Sequence, residues 1–211
     1  ENPCIIAEYL ETKSNCLPAF TCSFCKGAGM MRIENFGICR SSVWPYGIPT
    51  NEKPPQHVVD VIAQANEAGL NIELTPNAVT DRWKLLVYYP TNIAVSSILG
   101  HNFGTCWQTP ECQELLKSLA RECALIAKLE GIDQTLFNEE IAIETVMKIA
   151  VESPTHAGSM LQDIRNKRTT EIDGTNGALL RKAEQFGVEL PYTKAIYALV
   201  RTLEQNFGKE I

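Results

Sequence analysis

No apolar run in the sequence approaches the ~20 residues that span a bilayer, and no basic segment followed by an apolar one opens the chain, so neither a membrane anchor nor a secretory signal is expected. A basic stripe is also missing: 19 Lys and Arg lie scattered among 25 Asp and Glu, for a net charge of −6. With nothing to follow a phosphate backbone, nucleic acid is not an expected partner. Histidine is scarce, with three in 211 residues, so Cys22-x-x-Cys25 has neither a second cysteine pair nor neighbouring histidines to complete a metal site, and no metal is expected. The eight cysteines do not imply a disulfide scaffold, because several, such as Cys123, sit inside helical patterns as small apolar residues. There is no internal repeat and no low-complexity tract. These absences leave a soluble, cytoplasmic globular protein, long enough for one large domain or two small ones. The sequence starts at Glu1 rather than at a methionine, the mark of a processed, trimmed or incomplete product.

What is present divides in character near residue 75. Residues 1 to about 55 read as short strands and turns, with apolar runs at 4–7 and 19–24 and turn signals at Trp44-Pro45 and Pro54-Pro55. Val58, Val61, Ile62 and Ala65 then recur at helical spacing, Gly69 follows as a stop, and Leu70 to Leu74 alternates like a short strand. Strand, helix, strand is the order found at the tail of an α/β domain. After Thr75-Pro76 everything reads as helix: about 77–100, 110–130, 138–152, 159–168, 171–187 and 191–207. Gly131 and Gly187 end the second and fifth of these. The last carries Ile196, Leu199, Val200, Leu203 and Phe207 on one stripe that should face other helices. The expected fold class is α+β overall, a small α/β part over 1–75 followed by an all-α part over 76–211.

Two segments carry candidate chemistry. Lys84, Tyr88 and Asn92 lie four apart and so share one helix face. Apolar residues between them suit a buried flank, where Lys84 can act as a proton donor; a lysine with its stem along apolar surface and its head in water fits the same spacing. Further on, Ser159-x-x-Gln162 and Thr170-x-x-Asp173 both have capping-box spacing, so Ser159 reads either as a helix cap or as a ligand. Glu171 reads equally as a first-turn acid or as a functional carboxylate.

Ser159-Met160-Leu161-Gln162-Asp163-Ile164-Arg165, then Thr170-Glu171-Ile172-Asp173 and Asn176-Gly177-x-Leu179-Leu180-Arg181, together with Trp83-Lys84-Leu85 upstream, resemble in order and spacing the signature segments of ketopantoate reductases, also called 2-dehydropantoate 2-reductases. The resemblance runs over roughly the C-terminal 130 residues. It implies a helical domain like the C-terminal domain of 6-phosphogluconate dehydrogenase, preceded by the tail of a Rossmann-type domain. It also implies the chemistry of an NADP-dependent oxidoreductase in pantothenate biosynthesis: hydride from NADPH reaches the C2 carbonyl of a small 2-keto acid, and a lysine, matched by Lys84, protonates the developing alkoxide. Ser159 matches a serine that binds the substrate carboxylate, and Glu171 a glutamate that accepts a hydrogen bond from the substrate hydroxyl. Of two asparagines expected on the lysine's helix, Asn92 matches the second. A second copy of the chain is a candidate partner.

The sequence also departs from that pattern. Tyr88 stands where the first asparagine is expected, Pro90 interrupts the helix before Asn92, and His156 occupies a place where another substrate-binding asparagine is common. The Gly-x-Gly-x-x-Gly turn that holds a dinucleotide pyrophosphate at a helix start has no counterpart: in the nearest candidate, Gly27-Ala28-Gly29-Met30-Met31-Arg32, arginine replaces the third glycine and no helical pattern follows. Three expectations stand together: part of a full reductase, a truncated catalytically inactive paralogue kept for binding or oligomerisation, or a related dehydrogenase of another hydroxy or keto acid.

Overall fold

A computed structural model describes residues 19–20, 23–27, 33–38, 41–45 and 48–208. The chain falls into two compact units that divide between Arg82 and Trp83.

In the first unit, β1 (Ala19–Phe20) pairs antiparallel with β4 (Ser41–Val43), and β4 pairs parallel with β5 (Ile72–Leu74), Ser41 opposite Ile72 and Val43 opposite Leu74. A parallel pair needs a crossover, supplied by α1 (Gln56–Glu67). The strand, helix, strand order read from 58–74 is therefore present, as the short parallel remnant of an α/β domain. Asn66 fastens the end of α1 to β5: its amide donates to the Ile72 carbonyl and its oxygen accepts from the Ile72 N–H, both at 2.8 Å. Of the predicted stripe, Val58 is buried and Ile62 and Ala65 half-buried, whereas Val61 faces outward, 54% exposed. Separately, β2 (Ser23–Gly27) and β3 (Ile33–Ile38) form an antiparallel pair. Cys22 lies outside the described residues, as do residues 4–7.

The second unit is helical. It contains α3 (Ala94–Leu99), α4 (Phe103–Trp107), α5 (Pro110–Leu129), α6 (Glu139–Glu152), α7 (Ser159–Arg165), α8 (Asn176–Phe186) and α9 (Pro191–Gln205), and α2 (Ala78–Leu86) runs into it across the division. Starts and stops follow local chemistry. Pro110 sits at the first position of α5, where its missing N–H costs nothing, and Asn138 caps α6 by accepting from the Ile141 N–H at 3.0 Å. Gly187 ends α8 at φ +65°, a backbone that a side chain would oppose. The core is centred on α5, whose Leu116, Leu119, Ala120, Cys123, Ile126 and Ala127 are buried against α6, α8 and α9.

Three expectations need correction. The helix read as continuous over 77–100 stops at Leu86, widens into a π-type turn over Tyr89–Ile93 and resumes as α3. Pro90 has no N–H to give to a preceding carbonyl, and the chain recovers with longer-range bonds such as Ile93 N–H to Tyr88 C=O at 3.2 Å. The helix read over 171–187 starts only at Asn176: the Thr170 hydroxyl and N–H donate to the Glu204 carboxylate, at 2.8 and 2.7 Å, the same hydroxyl accepts from the Ile172 N–H at 3.2 Å, and the chain turns over Glu171–Thr175 first. In α9 the buried face is Thr193, Ile196 and Val200, with Glu204 below them, while Leu199 and Leu203 are 51% and 37% exposed. The true stripe is rotated toward the carboxylate that holds Thr170.

Candidate active site

The π-type turn organises the site. Trp83, buried and with its ring 6.3 Å from Phe137, anchors the end of α2 in the helical core. Next to it Lys84 is half-buried. The turn itself is a polar knot inside apolar surroundings: Thr91, Asn92, Ser96 and Ser97 are all buried. Their hydroxyls donate to carbonyls three or four residues back, Thr91 to Val87 at 2.5 Å, Ser96 to Ile93 at 3.0 Å and Ser97 to Ala94 at 2.6 Å. Such local bonds satisfy buried polar groups where the α-helical ladder is disturbed.

Asn92 points inward. It is 2% exposed, its amide donates to the Val146 carbonyl of α6 at 3.2 Å, and its oxygen accepts from the Thr91 hydroxyl at 3.1 Å. Tyr88 turns elsewhere, packing edge-on against Phe103 at 5.5 Å. His156 packs on the same Phe103 ring at 5.1 Å. The structure thus brings Tyr88 and His156 together through a residue that sequence reasoning passed over, since a phenylalanine at the start of a short helix looks like ordinary core. The face shared by Lys84, Tyr88 and Asn92 in an ideal helix is dispersed, because the wide turn at Pro90 sends Asn92 into the interior.

The loop carrying His156 is held firmly. Phe103 N–H donates to the His156 carbonyl at 3.1 Å, Gly104 N–H to the Pro154 carbonyl at 2.9 Å, and Arg165 to the Gly100 carbonyl at 2.9 Å. Close approach is why position 104 is glycine: a Cβ there would lie 2.6 Å from Pro154 Cβ. Although His156 is exposed overall, the side of its ring against Phe103 is dehydrated, and this desolvation lowers its pKa.

Ser159 follows three residues later, exposed. It is the first residue of α7 rather than its cap: Gly158 occupies the cap position, and no side chain caps that helix. The capping-box role read for Ser159 is therefore corrected, and its hydroxyl makes no hydrogen bond among the described residues. Glu171 is also exposed, in the turn before α8, with its backbone carbonyl accepting from Gly174 and Thr175. Asn176, fully buried, ties that turn to the π-type turn by donating to the Pro90 carbonyl at 3.3 Å. The signal for it was the polar Thr175-Asn176 pair directly before the apolar positions of α8. Asp173 is engaged by the Tyr197 hydroxyl at 2.9 Å and by Arg181 at 3.3 Å, and the Tyr197 bond foremost holds its carboxyl below the usual range. Segments 154–159 and 171–176 are thus both fastened to the stretch between Pro90 and Gly104.

The family model for "Ketopantoate reductase PanE/ApbA C terminal" matches residues 77–204. The chain belongs to the ketopantoate reductase family. Similar proteins include a 2-dehydropantoate 2-reductase of Streptococcus pyogenes serotype M3, 31% identical over 157 residues that make up 74% of this chain and 49% of the relative. The chain thus spans about half the length of the curated relatives it matches. The fold resembles that of a PanE/ApbA family ketopantoate reductase from Ralstonia eutropha JMP134, with TM-score 0.77 at 22% identity over 89% of this chain and 59% of the other. A D-mandelate dehydrogenase solved with NADH and anilino(oxo)acetate gives TM-score 0.72 at 25% identity over 88% of this chain and 59% of the other.

Tyr88 and His156, which stand where the resemblance implies asparagines, are the two rings packed on Phe103. Concavities of about 410 Å³ on α6 and about 440 Å³ at the α8–α9 corner include none of the predicted site residues. The first is lined by Glu139, Glu140 and Glu144, whose charge opposes a keto acid carboxylate. No cradle for a dinucleotide is visible among the described residues: Gly27 ends β2, and the chain returns as the antiparallel strand β3 rather than opening a helix whose N–H groups could meet a pyrophosphate. Residues 28–32, the rest of that glycine segment, lie outside the described residues. No helix among the described residues is long and apolar enough to cross a membrane.

Proposed function

We propose that this chain supplies the substrate side of a reductase of small 2-keto acids, with 2-dehydropantoate as the substrate implied by the family and NADPH as the hydride source. The observation that carries the reading is the match over 77–204, at whose start Lys84 stands half-buried, shortly before the stretch from Pro90 to Gly104 to which the Ser159 and Glu171 segments are both tied. Hydride supply belongs to the nicotinamide cofactor, and no described residue is assigned to hold it. The work of this chain's own residues is proton transfer and orientation. Lys84 as ammonium donates a proton to the C2 oxygen as its charge develops, then regains one from solvent. The Ser159 hydroxyl donates to the substrate carboxylate, and the Glu171 carboxylate accepts from a substrate hydroxyl. Tyr88 and His156 contact the rest of the substrate. Asn92 acts from beneath, holding the turn that aims them. Homodimer assembly and a cytoplasmic location go with the same reading.

The test is NADPH oxidation with 2-dehydropantoate by the protein carrying this chain and by its Lys84→Ala variant. Loss of a general acid is expected to lower kcat by about 10²- to 10⁴-fold, whereas Ser159→Ala should act mainly through KM. An unchanged kcat in Lys84→Ala refutes the assignment. The likeness to D-mandelate dehydrogenase favours a second reading, a dehydrogenase of another 2-hydroxy acid, which the same assay examines with other keto acids.

A further inference from the structure

Four rings run in series beside the π-type turn. Tyr88 meets Tyr89 edge-on at 5.4 Å and 70°, and Phe103 edge-on at 5.5 Å and 88°; Phe103 meets His156 at 5.1 Å with the planes tilted by 46°. These distances and angles are those of attractive aromatic pairs. Their exposure is graded. Phe103 is 1% exposed and serves as a brace, Tyr88 and Tyr89 are half-buried, and His156 is open to solvent. The row is fixed at both ends, since Tyr89 opens the π-type turn and His156 rides on the loop clamped by the Phe103 and Gly104 N–H groups. Tyr88, half-buried within the row, and His156, at its open end, therefore present ring surface in a set position, His156 three residues ahead of the exposed Ser159. Dehydration of one side of His156 lowers its pKa and so favours the uncharged ring, which offers an aromatic surface.

We infer that Tyr88 and His156, braced on Phe103, form an aromatic wall for the side chain of the substrate, so that the preferred substrate is a 2-keto acid with an aromatic substituent rather than the hydroxylated aliphatic chain of 2-dehydropantoate. This rests on the 2-keto acid part of the proposed function above and replaces only the substrate that the family implies. Ring surface offers an aryl group edge and face contacts and leaves an aliphatic hydroxyl without the partner it had in water.

The experiment is calorimetric titration of the protein carrying this chain with phenylglyoxylate and with 2-dehydropantoate, with and without NADPH. Phenylglyoxylate is expected to bind about tenfold more tightly, and Tyr88→Asn and His156→Asn should each erase most of that preference. Phe103→Leu, with folding checked by circular dichroism, should do the same by loosening both rings. Tighter binding of 2-dehydropantoate, or a phenylglyoxylate preference unchanged in all three variants, overturns the aromatic wall and leaves the 2-keto acid reading standing. Binding of neither acid in either series overturns both.

Discussion

Replacing Asn92 separates an interior role from contact with substrate. In the structure its amide donates to the Val146 carbonyl at 3.2 Å, its oxygen accepts from the Thr91 hydroxyl at 3.1 Å, and only 2% of it is exposed. Asn92→Ala removes both bonds and leaves a small void. The Thr91 hydroxyl keeps its bond to Val87, so its loss is partial. One buried interhelical hydrogen bond and the vacated volume together cost about 2 kcal/mol. With a urea dependence of roughly 2 kcal/mol per molar for a domain of this size, the midpoint should fall by about 1 M with no change in slope. Asn92→Asp should cost more, because it turns an acceptor and a buried charge toward the Val146 carbonyl. If the side chain acts only by holding the turn, KM for the keto acid should move by less than about threefold. A urea midpoint unchanged within error, together with a KM raised more than about tenfold, refutes the reasoning and turns the amide toward substrate.

Glu122 should matter to stability despite lying far from the candidate site. Its two oxygens accept from the N–H groups of Tyr192 at 2.9 Å and Thr193 at 2.7 Å, standing in for the absent cap of α9, so Glu122→Ala should lower unfolding free energy by about 2–3 kcal/mol and Glu122→Gln by roughly half as much, both read from urea midpoints. Tyr197→Phe should raise the pKa of Asp173, measured by NMR titration, because the Tyr197 hydroxyl is the main cause of its depression. With the folded-state pKa below the ordinary 3.8, the pairing of Asp173 stabilises the protein above about pH 4 and that contribution is lost as pH falls through the folded value; the variant should show a smaller loss on acidification.

Much of the helical unit was legible because its boundaries are set by short-range chemistry. Thr109-Pro110, the Asn138 cap and Gly187 act within one turn of the residues they govern, and α5, α6 and α9 fall within two residues of their predicted limits. Features that depend on distant partners were not legible. Thr170 carries a good capping pattern, but its hydroxyl answers to Glu204, 34 residues away, and the helix start moves to Asn176. Glu204 in turn explains why the buried stripe of α9 avoids Leu203. In the candidate site, Lys84, Ser159 and Glu171 stood out only as parts of an ordered pattern, since each also had an ordinary structural explanation. Phe103 had no such pattern to single it out, and Asn176 stood in the pattern without a role, because their importance lies in what they touch: two rings from different segments, and the carbonyl of Pro90.

The break at Pro90 bears on how the proposed substrate preference could change without disturbing Lys84. In an uninterrupted α-helix, residues four apart advance about 40° around the axis, so Lys84, Tyr88 and Asn92 would face one substrate together. Here the wide turn gives each a separate support: Trp83 on Phe137 beside Lys84, Phe103 beneath Tyr88, and Val146 for Asn92. A substitution at Tyr88 therefore meets Phe103 and the His156 loop before it can affect the end of α2. The two sides of the candidate site are in this way mechanically separable, the lysine side set by packing in the helical core and the ring side set by the clamp at Gly104. Substitutions on the ring side should change which keto acid binds, and substitutions on the lysine side should change how fast a bound one is protonated.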